Sequence, residues 1–115
     1  MDKKSIARFK ESLQMRQTEL RRSLSQMEQE RHALEPSAKD EGDRATTSQA
    51  REVLFRQTSH DRSLLADLEE VLARVDAGTF GECLNCGQVI GIKRLEAIPW
   101  VRYCINCQEL IDGRE

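Results

Sequence analysis

Apolar residues recur at Ile6, Leu13, Leu20, Met27 and Leu34, a strict seven-residue step through a stretch, residues 2–34, that contains neither Gly nor Pro. Phe9 and Leu24 lie on or beside the same stripe. A seven-residue apolar repeat on an otherwise polar helix leaves one narrow seam, which is the pattern of a coiled-coil strand. The spacing predicts a single helix about 48 Å long. Its other faces mix Arg, Lys, Glu and Gln, with Glu19–Arg22 and Glu28–Arg31 three residues apart. Those charges read as a solvated face that supports the helix.

Pro36 disfavours helix at Glu35, so the first helix should end near Leu34. A short polar segment follows, and a second helix is expected from Asp43 or Arg44, with Asp43 placed to cap it. It carries Ala50, Val53, Leu54, Leu64, Leu65, Leu68, Val71, Leu72 and Val75, without Gly or Pro until Gly78, the expected C-cap. Two helices of similar length joined by a short turn lie antiparallel. The second seam turns polar at Gln57, His60 and Asp61. Read back from the turn, this break faces roughly residues 16–22, where Arg16, Arg21 and Arg22 are candidate partners, and it reads as a weak point or register device.

With 115 residues, 4% aromatic and 33% charged, the chain is too polar for a large core. Such a composition folds around a metal or as long helices that bury only a seam. The formal net charge of -2 gives no electrostatic reason to bind nucleic acid. The N-terminus has no apolar signal-peptide core and no stretch approaches membrane-spanning length, so a cytoplasmic protein is expected.

All four cysteines fall between residues 83 and 107, as two C-x-x-C pairs separated by seventeen residues. That is the spacing of a closed four-thiolate zinc site built from Cys83, Cys86, Cys104 and Cys107. Each C-x-x-C is a tight knuckle aiming two sulfurs at one point, and Gly87 suits the turn after Cys86. Zinc takes four thiolates without redox change, so one structural Zn2+ is the expected cofactor. Disulfides would require an oxidising compartment, a redox motif a βαβ unit, and an iron–sulfur cluster is less suited to the symmetrical knuckles. Between the knuckles, Val89, Ile90, Ile92, Leu95, Ile98 and Trp100 should pack around the metal, and residues 105–111 fit a short closing helix. His60 reads as a solvated helix residue, since four cysteines leave the metal no need of it. The fold class is therefore mainly α. A long antiparallel coiled-coil hairpin spans residues 1–77, with its tip near 35–45, and a small four-cysteine zinc-finger module with a short C-terminal helix spans 78–115.

The run T-F-G-E-C-L-N-C-G-Q-V-I-G-I-K-R-L-E-A-I-P-W-V-R-Y-C-I-N-C resembles the DksA/TraR-type zinc-finger regulators of bacterial RNA polymerase. The pattern G-x-C-x-x-C-G-x-x-I-x-x-x-R-L-E-A-x-P and the second C-x-x-C fall in place, and Asp40-Glu41-Gly42-Asp43-Arg44-Ala45 matches the D-x-x-D-x-A of the family's coiled-coil tip. The resemblance covers nearly the whole chain, which is shorter than the best-known member at both ends. It implies a monomer whose hairpin enters the secondary channel of RNA polymerase. Asp40, Asp43 and Ala45 would lie near the catalytic centre, the zinc module would stay on the rim, and open promoter complexes would change in lifetime. No DNA sequence is read in that mode of action. The family's arginine at the position of Arg94 implies a structural or rim-contact role. The best-known member uses basic side chains to bind the alarmone ppGpp at the polymerase rim, and the matching positions here are Asp67, Ile98 and Gln108. That ppGpp site is expected to be absent.

Other functions compete less well. A nucleic-acid-binding zinc ribbon needs basic and aromatic surface, and the chain has an acidic balance with one Trp, one Tyr and three Phe. An enzyme needs a nucleophile–base pairing, which the sequence does not offer. A structural coiled-coil adaptor is the remaining alternative.

Overall fold

The computed structural model describes residues 1–34 and 41–113, with side chains for all of these except 41–46. Four helices occur among them, α1 Lys3–Ala33, α2 Glu41–Ala77, α3 Ile92–Ala97 and α4 Ile105–Asp112, with an isolated antiparallel bridge between Glu82 and Val89. This is the expected class, a coiled-coil hairpin followed by a four-cysteine module that closes on a short helix. Helix α3 is an addition to the expectation.

Asp2 caps α1: its carboxylate accepts a 2.8 Å bond from the Ser5 N–H. That bond holds the Asp2 carboxyl below its usual value. Helix α2 begins at Glu41, so Asp43 is its third residue and not the cap that the sequence suggested. A capping residue read from the sequence alone fixes a helix start only to within a residue or two. Asp40 lies outside the described residues. The C-terminus of α2 is a Schellman motif in which Thr79 N–H bonds Arg74 O at 2.9 Å and Gly78 N–H bonds Val75 O at 3.2 Å. Gly78 takes the required left-handed backbone, φ 81°.

The chain forms two compact units, Gln17–Ala66, and Met1–Arg16 with Asp67–Glu115. In the first of these, Leu20, Met27 and Leu54 are buried. Thr58 and Asp61 continue the α2 stripe four and seven residues beyond Leu54, and both are half-buried. Thr58 gives its hydroxyl to Met27 Sδ at 3.5 Å. His60 Nδ1 lies 3.3 Å from Asp61 Oδ1, and the His60 ring is otherwise in solvent. The polar break thus enters the seam through Thr58 and Asp61, while Gln57 and His60 face outward. Val53 is exposed because the stripe passes through its neighbour Leu54.

In the second unit the base of the hairpin and the cysteine module share one core. Leu13 is 1% exposed and Leu68 0%, with Val71 beside them in the seam and Lys10 paired to Asp76 at 3.3 Å. Phe9, from α1, packs against the cluster of Cys83, Ile90, Leu95 and Cys107, as do Phe80, Val101 and Tyr103. The Phe9 and Phe80 rings meet edge to face, with centroids 5.2 Å apart. Of the residues expected around the metal, only Ile90 and Leu95 are buried, and Trp100 is half-buried. Val89 is 76% exposed and Ile92 and Ile98 also reach solvent. Alternation along the 82–89 bridge turns Val89 out where it turns Ile90 in, and a six-residue helix offers the core one side chain, Leu95.

A carboxylate on the seam forgoes apolar burial, which is expected to weaken the packing of this stretch. Asp61→Leu should stabilise the helices by roughly 1–2 kcal/mol through added burial, seen as a higher thermal midpoint by circular dichroism. An unchanged or lower midpoint would show that Asp61 is not a defect in the packing.

Candidate metal centre

The first knuckle is set by short backbone bonds. Cys83 N–H donates to Gln88 O at 2.8 Å and Gly87 N–H to Cys83 O at 2.9 Å, which folds the chain back after Cys86. Gly87 holds φ 75°, a conformation that a side chain would strain. Leu84 N–H reaches across to Arg102 O at 2.9 Å, tying the first knuckle to the segment that leads into the second. There Cys104 precedes α4, its carbonyl accepting the Gln108 N–H at 2.9 Å, and Cys107 lies in the first turn of that helix.

These bonds bring all four cysteine sulfurs within 4.8 Å of one another. Cys86 Sγ and Cys104 Sγ, from different knuckles, are 3.8 Å apart. Four sulfurs in a tetrahedron around zinc, each about 2.3 Å from it, are separated by about 3.8 Å. The donor set therefore fits a tetrahedral metal in both chemistry and size. Cys83 and Cys107 are buried, Cys104 half-buried and Cys86 exposed, so the centre lies at one edge of the module's core.

The thiols perturb one another. Burial pushes the Cys83 thiol up, but the N–H groups of Cys86, Cys104 and Asn85, with the Cys86 thiol, outweigh it and bring it down to about 6. At Cys107, Asn85 Nδ2 donates to Sγ at 3.4 Å and favours the thiolate, yet the Cys104 thiol, burial and the remaining thiols push it up to about 12. A single negative charge among four sulfurs discourages the next, and a divalent cation removes that obstacle.

Three arginines fix this centre to its surroundings. Arg94 Nε donates to Tyr103 O at 3.1 Å, one residue before Cys104, which gives Arg94 a structural role. Arg74 Nη2 donates to Thr79 O at 3.2 Å and also to Glu82 O. Arg102 lies 3.8 Å from Asp67 and 3.7 Å from Glu70, both on α2, and 5.6 Å from the centre of the Tyr103 ring. Arg74, Arg102 and Asn85 were not apparent in the sequence. A cation in the last turn of α2 is the signal that could have found Arg74, and an amide between two knuckle cysteines the one for Asn85. No such signal marks Arg102. The residues expected at the tip are not part of this centre: Asp43 and Ala45 lie in the first turns of α2.

The prokaryotic dksA/traR C4-type zinc finger matches residues 78–112. The RNA polymerase-binding transcription factor DksA of Escherichia coli K12 is 32% identical over 119 residues, covering 100% of this chain and 76% of that protein. Its counterpart from Haemophilus influenzae is 40% identical over 76 residues, which span 66% of this chain and 52% of the relative. The structure of transcription factor DksA2 from Pseudomonas aeruginosa superposes with a TM-score of 0.87 at 30% identity, covering 99% of this chain and 88% of that one. No helix among the described residues is long and apolar enough to cross a membrane.

Two fully buried aliphatic side chains in the module, Ile90 and Leu95, are too few to fold it unaided, so metal on the four sulfurs is expected to supply much of its folding energy. A strong chelator, or Cys83→Ser, should collapse the dispersed amide NMR signals of residues 79–111 while most helical circular dichroism persists. Dispersed signals that survive metal loss, confirmed by elemental analysis, would refute this dependence.

Proposed function

The chain belongs to the DksA/TraR family, and from that premise we propose that it is a non-enzymatic transcription regulator that binds RNA polymerase directly in the cytoplasm. One observation carries the reading: the similarity to DksA2 extends over hairpin and module together, at a TM-score of 0.87, rather than over the zinc finger alone. A free-standing nucleic-acid-binding finger has no use for two helices of 31 and 37 residues. Cys83, Cys86, Cys104 and Cys107 hold one zinc ion, whose part is structural: it neutralises the thiolates and locks the knuckles together. The hairpin enters the secondary channel of the polymerase as a monomer. Asp40, Asp43 and Ala45 act near the catalytic centre and alter the lifetime of open promoter complexes, without reading DNA sequence.

The decisive experiment is co-migration of the protein with RNA polymerase, with competition by another secondary-channel binder. Within that complex Asp43 separates docking from action. Because Asp43 is the third residue of α2, Asp43→Asn keeps the helix and loses only a charge–dipole interaction of about 0.3–1 kcal/mol. The variant should fold and co-migrate like the wild type but lose most of its effect on open-complex lifetime. Equal activity would confine this carboxylate to the helix.

The same interface lacks a ppGpp site. Asp67 faces Arg102, which Glu70 also flanks, so that guanidinium is already engaged with two carboxylates. Gln108 gives its amide to Asp112 at 3.0 Å. A polyphosphate needs charge-assisted donors, each worth about 1.5–3 kcal/mol. Titrating ppGpp into the complex with a polymerase that has no other ppGpp site should show no saturable binding. Micromolar saturation there would mean that Arg102 leaves its carboxylates to rebuild the site.

A further inference from the structure

Phe55 is 72% exposed on the middle of α2, and it forms part of an open groove of 710 Å³ in the Gln17–Ala66 unit. Met27, Leu54 and Thr58 line the apolar part of this groove with it, and Arg51 and Arg62 stand in its lining. Arg51, Phe55, Thr58 and Arg62 follow one another at spacings of four, three and four, so they form one stripe of α2. The two guanidiniums are eleven residues apart, about 16 Å along the helix. The groove's one carboxylate, Glu28, is 2.6 Å from Arg31 and 3.4 Å from His32, and Arg31 holds it below its usual value. Among the described residues neither Arg51 nor Arg62 has an ion-pair partner within 4.0 Å, and Arg62 reaches Glu28 only as a longer-range charge that helps to lower its carboxyl.

An exposed aromatic between two arginines that make no close ion pair, over an aliphatic and thioether floor, is the composition of a protein-binding hot spot. It suits an amphipathic helix lying along α2, one whose apolar side chain meets Phe55 and whose carboxylates reach the two arginines. A nucleic-acid strand fits less well. Stacking needs successive aromatic platforms, and this groove has one ring on a chain of net charge -2. We propose that this groove is a docking surface for an acidic, amphipathic helical segment of the protein partner. The inference rests on the reading of that partner as RNA polymerase, and it names the side of the hairpin that is gripped.

The test uses the full chain, labelled at its N-terminus, and purified RNA polymerase holoenzyme. Phe55→Ala and the double reversal Arg51→Glu/Arg62→Glu are compared with wild type by fluorescence anisotropy. Lys3→Glu/Lys4→Glu supplies the same charge change elsewhere, and circular dichroism checks each fold. Both groove variants should bind at least about tenfold more weakly. The reversal should also weaken the salt dependence of association, and the Lys variant should match wild type. If wild type binds and both groove variants lie within about threefold of it, the inference falls and the polymerase reading stands. If wild type does not bind polymerase, both fall. Phe55-dependent binding of single-stranded RNA, or Phe55-dependent self-association in sedimentation, would overturn the inference in favour of that occupant.

Discussion

Four sulfur atoms held within 4.8 Å of one another are the contact on which the base of this molecule depends. Backbone bonds can shape each knuckle, but they cannot make four thiols attractive neighbours. Their shifts are opposed, Cys83 held down against burial chiefly by backbone N–H groups and Cys107 pushed up against Asn85 by its neighbouring thiols and by burial, as fits sulfurs that compete for one negative charge. A divalent ion reverses the sign of the problem, since every additional thiolate then adds attraction. The buried core beside the sulfurs contains Ile90 and Leu95, with Phe9 and Phe80 against them, so the metal and a few apolar side chains have to be considered as one unit.

From that core the order spreads into the hairpin through a small number of directed contacts. Phe9 belongs to α1 yet packs on the cysteine cluster, while the Schellman turn at Gly78 sets the angle at which α2 delivers Phe80 to it. Arg74 then secures Thr79 and Glu82 by their carbonyls, and Arg102 returns to Asp67 and Glu70. The Arg74 hydrogen bonds come from a charged donor and are the stronger kind, about 1.5–3 kcal/mol each, while the half-exposed Arg102 pairs at 3.7–3.8 Å add about 0–1 kcal/mol. They suit a joint between a long helix and a loop-rich module with little apolar area.

Much of this was legible in the sequence because the signals were periodic or chemically rigid. Leu13, Leu20 and Met27 occupy the buried seam that their seven-residue step predicts, and the cysteine spacing anticipates the converging sulfurs. Expectation failed where a residue's neighbours, and not its type, decide its environment. Val89, Ile92 and Ile98 are as apolar as Ile90 but point away from the core, because a local bridge and a six-residue helix select which side chain turns inward. The start of α2 at Glu41 lies two residues before Asp43, within the one- to two-residue range to which a capping rule applied to a single residue can place a helix end. The spacing of Phe9 places it on or beside the hairpin seam, and nothing in that spacing shows that the module shares it.

The middle of the hairpin obeys a different rule from its base. Between residues 17 and 66 the seam accepts a hydroxyl and a carboxylate, Thr58 and Asp61, at positions where a stripe of leucines would bind more tightly. The same stretch leaves the Phe55 ring in water, though a polar residue there would cost the helix nothing. A sequence shaped only for the stability of two helices would bury its aromatic and expose its acid. Here the apolar ring faces outward and the acid lies on the seam, the inversion expected where a surface is kept for a partner at the expense of internal packing.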